Sequence, residues 1–252
     1  MKIGLLGKNI SYSKSPNLFK YFSRLYMVDI EFFVFNIDDS AVVDYLNKLR
    51  TGEFSAFFIT IPYKEKVMTL IDEIDDIASK IGAINFIYLL NGKIRGTNTD
   101  YYGFLGMLAS NNINVKNKKI LIFGTGGAAR ALNYALINDD VTLVSRTEKG
   151  HFLGRKMITF TDELTNYDIY INATPVGTND SSVELIDTSI LKDKIAIDLV
   201  YNPKNTAFVR HGKVGISGID MLIFQGLKGL NILLGTNYKL SALELECLRE
   251  VL

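Results

Sequence analysis

Three small residues, Gly124, Gly126 and Ala129, stand at G-x-G-x-x-A spacing where the apolar run ILIFG passes into GGAARALNYALI. A tight turn at the first, no side chain at the second and a small residue at the third let backbone approach a pyrophosphate, with the amides of a following helix facing it. The next apolar run, DVTLVS, ends in Ser145, Arg146 and Thr147. A nicotinamide-binding fold normally sets an acidic residue at that place, against the ribose hydroxyls. A guanidinium with two hydroxyls suits a phosphate instead, and no carboxylate is there to repel one, so the pattern leans towards NADP. A second group of polar residues gathers at the ends of apolar runs in the first hundred positions: SYSKSP, TIPYK, GAIN and GTNTD.

Residues so scattered need a scaffold, and short apolar runs alternating with helical patterns predict a parallel α/β architecture. Strands are expected at KIGLLG, IEFFVFNI, SAFFIT, KKILIFG, DVTLVS, DIYINAT, KIAIDLV and KVGISG. In SPNLFKYFSRLY, Ser15 is read as a helix cap and Pro16 as part of the first turn. The stretch INFIYLLNGKIRGTN breaks the alternation: two β-rich runs flank Asn91-Gly92, a dipeptide suited to a type I′ hairpin. A connector helix follows from about Asp100, and GIDMLIFQGLKGLNILLG is apolar enough to be a helix buried against another layer.

Composition sets the outer limits. At 252 residues and 48% hydrophobic content the chain can bury a sizeable core in one large or two medium domains. Twenty-eight basic residues balance 27 acidic ones, so no general electrostatic footprint for nucleic acid or an anionic membrane exists. No uninterrupted apolar run approaches a membrane span, and MKIGLLGK lacks a signal-peptide core, so a soluble, cytoplasmic protein is expected. One cysteine, Cys247, excludes an intrachain disulfide, and two histidines, His151 and His211, leave little for a transition metal; no metal site is expected.

Nine stretches, in order along the chain, resemble the motifs of the shikimate dehydrogenase family: SYSKSP, TIPYK, GAIN, GTNTD, GTGGAAR, SRT, NATPVG, DLVYNPKNTAF and GIDMLIFQG. That resemblance implies NADPH-dependent, reversible reduction of 3-dehydroshikimate to shikimate, with Lys64 and Asp100 as the catalytic pair. It further implies substrate contacts from Ser13, Ser15, Thr60, Asn85, Tyr201 and Gln225. Cofactor contacts would come from Gly124, Gly126, Gly127, Ala128, Ser145, Arg146, Thr147, Thr174, Val200 and Gly218. Such groups fit the ligand: hydroxyls donate to a ring carboxylate, amides match ring hydroxyls, and an ammonium protonates the oxygen that receives a hydride.

The same resemblance implies two α/β lobes. Residues 1–100 would bind substrate, 101–217 would form a Rossmann-type NADP domain, and C-terminal helices in 218–252 would return to the first, with the active site in the cleft. The protein would be a monomer or homodimer, with small molecules rather than nucleic acid as partners. Three departures stand out. Phe58 occupies a position that is usually Asn, Tyr12 replaces a common histidine, and EKGHFLGRKMITF is shorter than the helix and strand expected after SRT. The shortening leaves Lys149, His151 and Arg155 as candidates for a second phosphate-binding base. A quinate-active relative with relaxed cofactor use would share nearly every motif, with Ser13 and Thr60 favouring shikimate. A folate-linked methylene dehydrogenase would lack the SYSKSP and GTNTD pair, and a non-catalytic ligand sensor would not need both Lys64 and Asp100.

Overall fold

β-Branched and aromatic runs placed between turn residues build two separate sheets in the computed structural model, which describes residues 1–252. Chain contacts divide into two units, Met1–Gly103 with Leu222–Leu252, and Phe104–Met221. Both boundaries fall inside continuous helices, α4 (Asp100–Ser110) and α7 (Ile219–Leu234).

The first unit carries strands β1 (Lys2–Gly7), β2 (Glu31–Asn36), β3 (Ala56–Ile59), β4 (Glu73–Ile74), β5 (Phe86–Leu90) and β6 (Lys93–Thr97) in the order β2-β1-β3-β5-β6-β4. β1 runs parallel to both β2 and β3, while β5 is antiparallel to β3 and β6. The Asn91-Gly92 hairpin forms as expected, both residues adopting positive φ of 52° and 75°. Helices α1 (Ser15–Leu25), α2 (Val42–Arg50), α3 (Asp76–Ile81) and α8 (Ala242–Val251) accompany this sheet. The cap reading at Ser15 is corrected: Lys14 holds the N-cap position of α1, no side chain caps the helix, and the Ser15 hydroxyl meets Ser13 instead. A serine two positions away competes successfully for that hydroxyl.

Phe58 is part of an aromatic layer under α7. Its ring lies 4.7 Å from Phe86 and 5.4 Å from Phe19, and a Cβ on Gly229 would come within 2.5 Å of it. The bulky departure from the family pattern is thus accommodated by a residue with no side chain on the helix above.

The second unit has β7 (Lys119–Phe123), β8 (Asp140–Ser145), β9 (Gly150–Phe152), β10 (Arg155–Thr159), β11 (Ile169–Asn172), β12 (Ile195–Asp198) and β13 (Val214–Ser217) in the order β13-β12-β11-β7-β8-β10-β9. All pairs are parallel except β9 with β10. Helices α5 (Gly127–Ala135) and α6 (Ala207–His211) belong here. Strands β7 and β11 are buried on both faces from Ile120 and Ile169 onward, the pattern of a parallel sheet covered on both sides. The order reverses at β7, whose neighbours are β8 and β11, and ligands of open α/β sheets bind at that switch point beyond the carboxyl ends of the strands.

The segment after SRT is a β9–β10 hairpin in place of helix and strand. Arg155 fixes it to the end of α5, donating to Asn133 Oδ1 (3.0 Å) and to the carbonyls of Asp139 (2.9 Å) and Leu136 (2.6 Å). A guanidinium spent on the carbonyl end of a helix, where the dipole favours it, is committed to the fold.

Candidate active site

In the first unit, four residues from distant stretches meet in one buried polar cluster. Lys64, five positions past the end of β3, reaches Asp100, the first residue of α4, with Nζ 2.5 Å from Oδ2. Both side chains are nearly buried, at 13% and 8% exposure, so their attraction is weakly screened. Asp100 Oδ1 accepts from Asn85 Nδ2 at 2.8 Å. With one oxygen on a cation and the other on an amide, the carboxylate plane is fixed. The same Asn85 nitrogen lies 3.4 Å from Gln225 Oε1, which brings α7 into the group.

Backbone bonds hold these loops at working distance. The Ile84 amide donates to the Lys64 carbonyl at 2.7 Å, tying TIPYK to GAIN, and the Asn85 carbonyl accepts from Ile59 at 2.8 Å. Thr60 follows β3, its amide donating to Leu6 and its carbonyl accepting from Tyr63. Ser13 and Ser15 form a pair at the start of α1, with Ser13 Oγ donating to Ser15 Oγ at 3.1 Å, so that two hydroxyls lie side by side. Tyr201 lies in the second unit, just past β12. Tyr12, the residue in place of histidine, is half-buried, and burial pushes its phenol above the ordinary range.

Two further residues complete the cluster, and the sequence reading passed over both. Thr99 donates its amide (2.6 Å) to Asn85 Oδ1, and its hydroxyl bridges Asn85 and Gln225. Asn98 donates to the Ala83 carbonyl (2.8 Å) and accepts from the Tyr101 amide at the start of α4. Both side chains are fully buried. Their signal lay inside GTNTD, where Asn and Thr read equally well as turn residues.

The cofactor stretches lie together at the carboxyl edge of the second sheet. Gly124 follows β7 with φ of 108°, a conformation that side-chain-bearing residues rarely adopt. At Gly126 a Cβ would meet no protein atom within 4 Å, so open space faces the loop where a phosphate group would lie. Gly126 is also the N-cap of α5 and no side chain caps it, so the first-turn amides of Gly127 and Ala128 have no capping side chain to accept from them. The residues present therefore fit a dinucleotide. Ser145 Oγ accepts from the amides of Thr147 and Glu148 at 3.4 Å, shaping the turn on which Arg146 is exposed. Thr174 follows β11, and Val200 and Gly218 follow β12 and β13, joined by a bond from the Gly218 amide to the Val200 carbonyl. Of the three candidate bases, Lys149 pairs with Asp162 at 2.7 Å and holds that carboxyl down at about 2, Arg155 is spent on α5, and His151 is exposed on β9.

A glycine-rich turn at the switch point of a parallel sheet in the second unit, and a buried Lys–Asp pair in the first, mark the chain as an α/β protein of dinucleotide-binding type. The chain belongs to the shikimate dehydrogenase family. The family of the shikimate dehydrogenase substrate binding domain matches residues 5–87. Shikimate dehydrogenase (NADP(+)) of Clostridium botulinum strain Hall is 35% identical over 246 residues, covering 91% of this chain and 95% of its own length. Among solved structures, shikimate dehydrogenase 1 of Peptoclostridium difficile superposes with a TM-score of 0.90 at 30% identity, covering 99% of this chain and 96% of that one. Shikimate 5-dehydrogenase of Thermus thermophilus in complex with NADP(H) and shikimate gives 0.87 at 25% identity, covering 100% and 98%.

Proposed function

We propose that the protein is an NADP-dependent shikimate dehydrogenase, reducing 3-dehydroshikimate to shikimate and running the reverse reaction as concentrations dictate. The observation that carries this reading is the Lys64–Asp100 pair, buried and bound on its far side by Asn85, in a chain whose relatives are named for that activity. NADPH supplies the hydride to the substrate ketone. Negative charge then develops on the ketone oxygen, and Lys64 Nζ stabilises it and delivers a proton. Asp100 uses one oxygen to aim the ammonium and leaves Nζ two further N–H bonds for substrate oxygens. In the oxidative direction the proton returns from the substrate hydroxyl to Nζ.

The remaining assignments follow the family resemblance, and the chemistry of the groups agrees with it. Ser13 and Ser15, with Tyr201, receive the ring carboxylate; Thr60, Asn85 and Gln225 receive ring hydroxyls. The first unit is the substrate unit and the second holds NADP(H) through Gly124, Gly126, Gly127, Ala128, Ser145, Arg146, Thr147, Thr174, Val200 and Gly218. A lone cysteine suits a reducing compartment, and we place the enzyme in the cytoplasm as a monomer or homodimer. No helix is long and apolar enough to cross a membrane, and no cluster of three or more His, Cys, Asp or Glu is arranged to hold a metal ion. Following NADPH absorbance with and without 3-dehydroshikimate tests the reading. Substrate-dependent NADPH consumption is expected; binding of both molecules without turnover would replace the enzyme by a sensor.

A further inference from the structure

Asp198 ends β12 with its side chain wholly buried, and the three groups that donate to it are all neutral. Burial pushes its carboxyl up to about 6, against the pull of those donors. A buried carboxylate without a cation opposes folding, so something at this position must offset that cost.

The bonds around it suggest what that is. Strands β11 and β12 are in register so that Asn172 faces Asp198, with Phe123 of β7 and Ser217 of β13 completing the row at the carboxyl edge. Asn172 Nδ2 donates to Asp198 Oδ1 (2.9 Å) and to the Val176 carbonyl (3.1 Å). Asn172 Oδ1 is thereby turned towards Thr174, accepting from its amide (2.9 Å) and hydroxyl (2.7 Å). The opposite amide orientation would set two acceptor oxygens against each other, because an ionised carboxylate has nothing to donate. The same Asp198 oxygen accepts from the Val200 amide (3.0 Å), and the Val200 carbonyl accepts from the Gly218 amide (3.2 Å). The other oxygen is held by the Thr206 hydroxyl (2.6 Å). Three loops following three adjacent strands thus hang on one side chain.

We infer that Asp198 is a positioning residue for NADP(H): by accepting from Asn172 and Val200 it sets the loops that present Thr174, Val200 and Gly218 to the cofactor. This rests on the functional reading above, in which those loops face NADP(H). A strut that served only to anchor α6 through Thr206 would lower stability without favouring one ligand over the other.

Equilibrium binding of NADPH by fluorescence, the KM for shikimate and the melting temperature are measured for wild type, Asp198→Ala, Asp198→Asn and Asn172→Ala. Asp198→Ala is expected to weaken NADPH binding about ten- to hundredfold, the range for losing a buried hydrogen-bond acceptor, while the shikimate KM moves less than about twofold. Asp198→Asn keeps Oδ1 for Asn172 and Val200 and lets the Thr206 hydroxyl accept, so it should bind NADPH within about threefold of wild type. Should Asp198→Ala fail to fold, Asn172→Ala cuts the same link from the other side and should show the same selective loss. Unchanged NADPH binding in the folded variants, or equal losses for both ligands in step with the melting temperature, would overturn the inference. A wild type that binds no NADPH would overturn the functional reading itself.

Discussion

The two units solve the problem of placing polar groups in opposite ways. In the first, side chains do the work: Lys64, Asp100, Asn85, Thr99 and Gln225 come from four separate stretches and satisfy one another inside the fold. In the second, backbone does most of it, through an uncapped helix start, a turn at Gly124 and open space at Gly126, with the ordering side chains hidden one layer behind. A group that must pass a proton needs an exact partner, and partners of that kind are built by burial. A long, flexible, charged cofactor needs surface and amides, and those are provided by loop shape. Damage to the Lys64–Asp100 cluster should therefore appear as lost turnover, and damage to the loops of the second unit as lost affinity.

The largest effect expected is on Lys64. Lys64→Ala should lower kcat by about 10²–10⁴ while NADPH binding is kept, the range for a general acid–base group; an unchanged kcat in the folded variant removes Lys64 from the mechanism. The next is a pH effect in the second unit. Asp198 has a folded pKa near 6 against an ordinary 3.8, so the folded state binds the extra proton between those values. Its contribution is fully present below about pH 4 and is lost as pH rises through 6, about 3 kcal/mol in all. Melting curves of wild type and Asp198→Asn across that window should differ by this falling slope, and parallel curves would show that Asp198 does not titrate there.

Arg146→Ala tests how far the cofactor side depends on a single charge. One charge-assisted contact corresponds to roughly 1.5–3 kcal/mol, so NADPH preference over NADH should fall by about one to two decades. Equal efficiency with both cofactors in wild type would defeat that assignment. The smallest effect is expected at the paired serines: Ser13→Ala and Ser15→Ala should raise the KM for shikimate several-fold and leave kcat nearly unchanged, since a contact far from the reacting carbon binds ground and transition states alike. Because Ser15 does not cap α1, neither variant should melt markedly earlier than wild type. An unmoved KM in both would put the carboxylate elsewhere.

Much of the scaffold could be read from pattern alone. KIGLLG and DVTLVS coincide with β1 and β8, and Asn91-Gly92 marked its hairpin, because apolar runs bounded by turn residues leave few alternatives. The β9–β10 hairpin could not be read in the same way. Its turn uses Leu153 and Gly154 at positive φ, and a leucine there gives no warning in the sequence. The two-residue β4 and the short α3 are likewise fixed by packing rather than by periodicity. Within the site, the motifs implied Lys64 and Asp100 as a pair but not the geometry of their contact, since residues 36 positions apart in different elements obey no spacing rule. Thr99, Asn98 and Asp198 escaped because a buried polar residue is known by its partners, which only the folded chain supplies.

The discontinuity of the first unit has a consequence for how the molecule comes into being. Residues Phe104–Met221 form a unit from one unbroken stretch, so it can fold as soon as that stretch has left the ribosome. The first unit has by then waited through the synthesis of the whole second one. It still lacks Gln225 beside Asn85 and Gly229 over Phe58. A nascent chain therefore completes its contiguous unit before its discontinuous one, and the aromatic layer around Phe58 stays uncovered until α7 has been made.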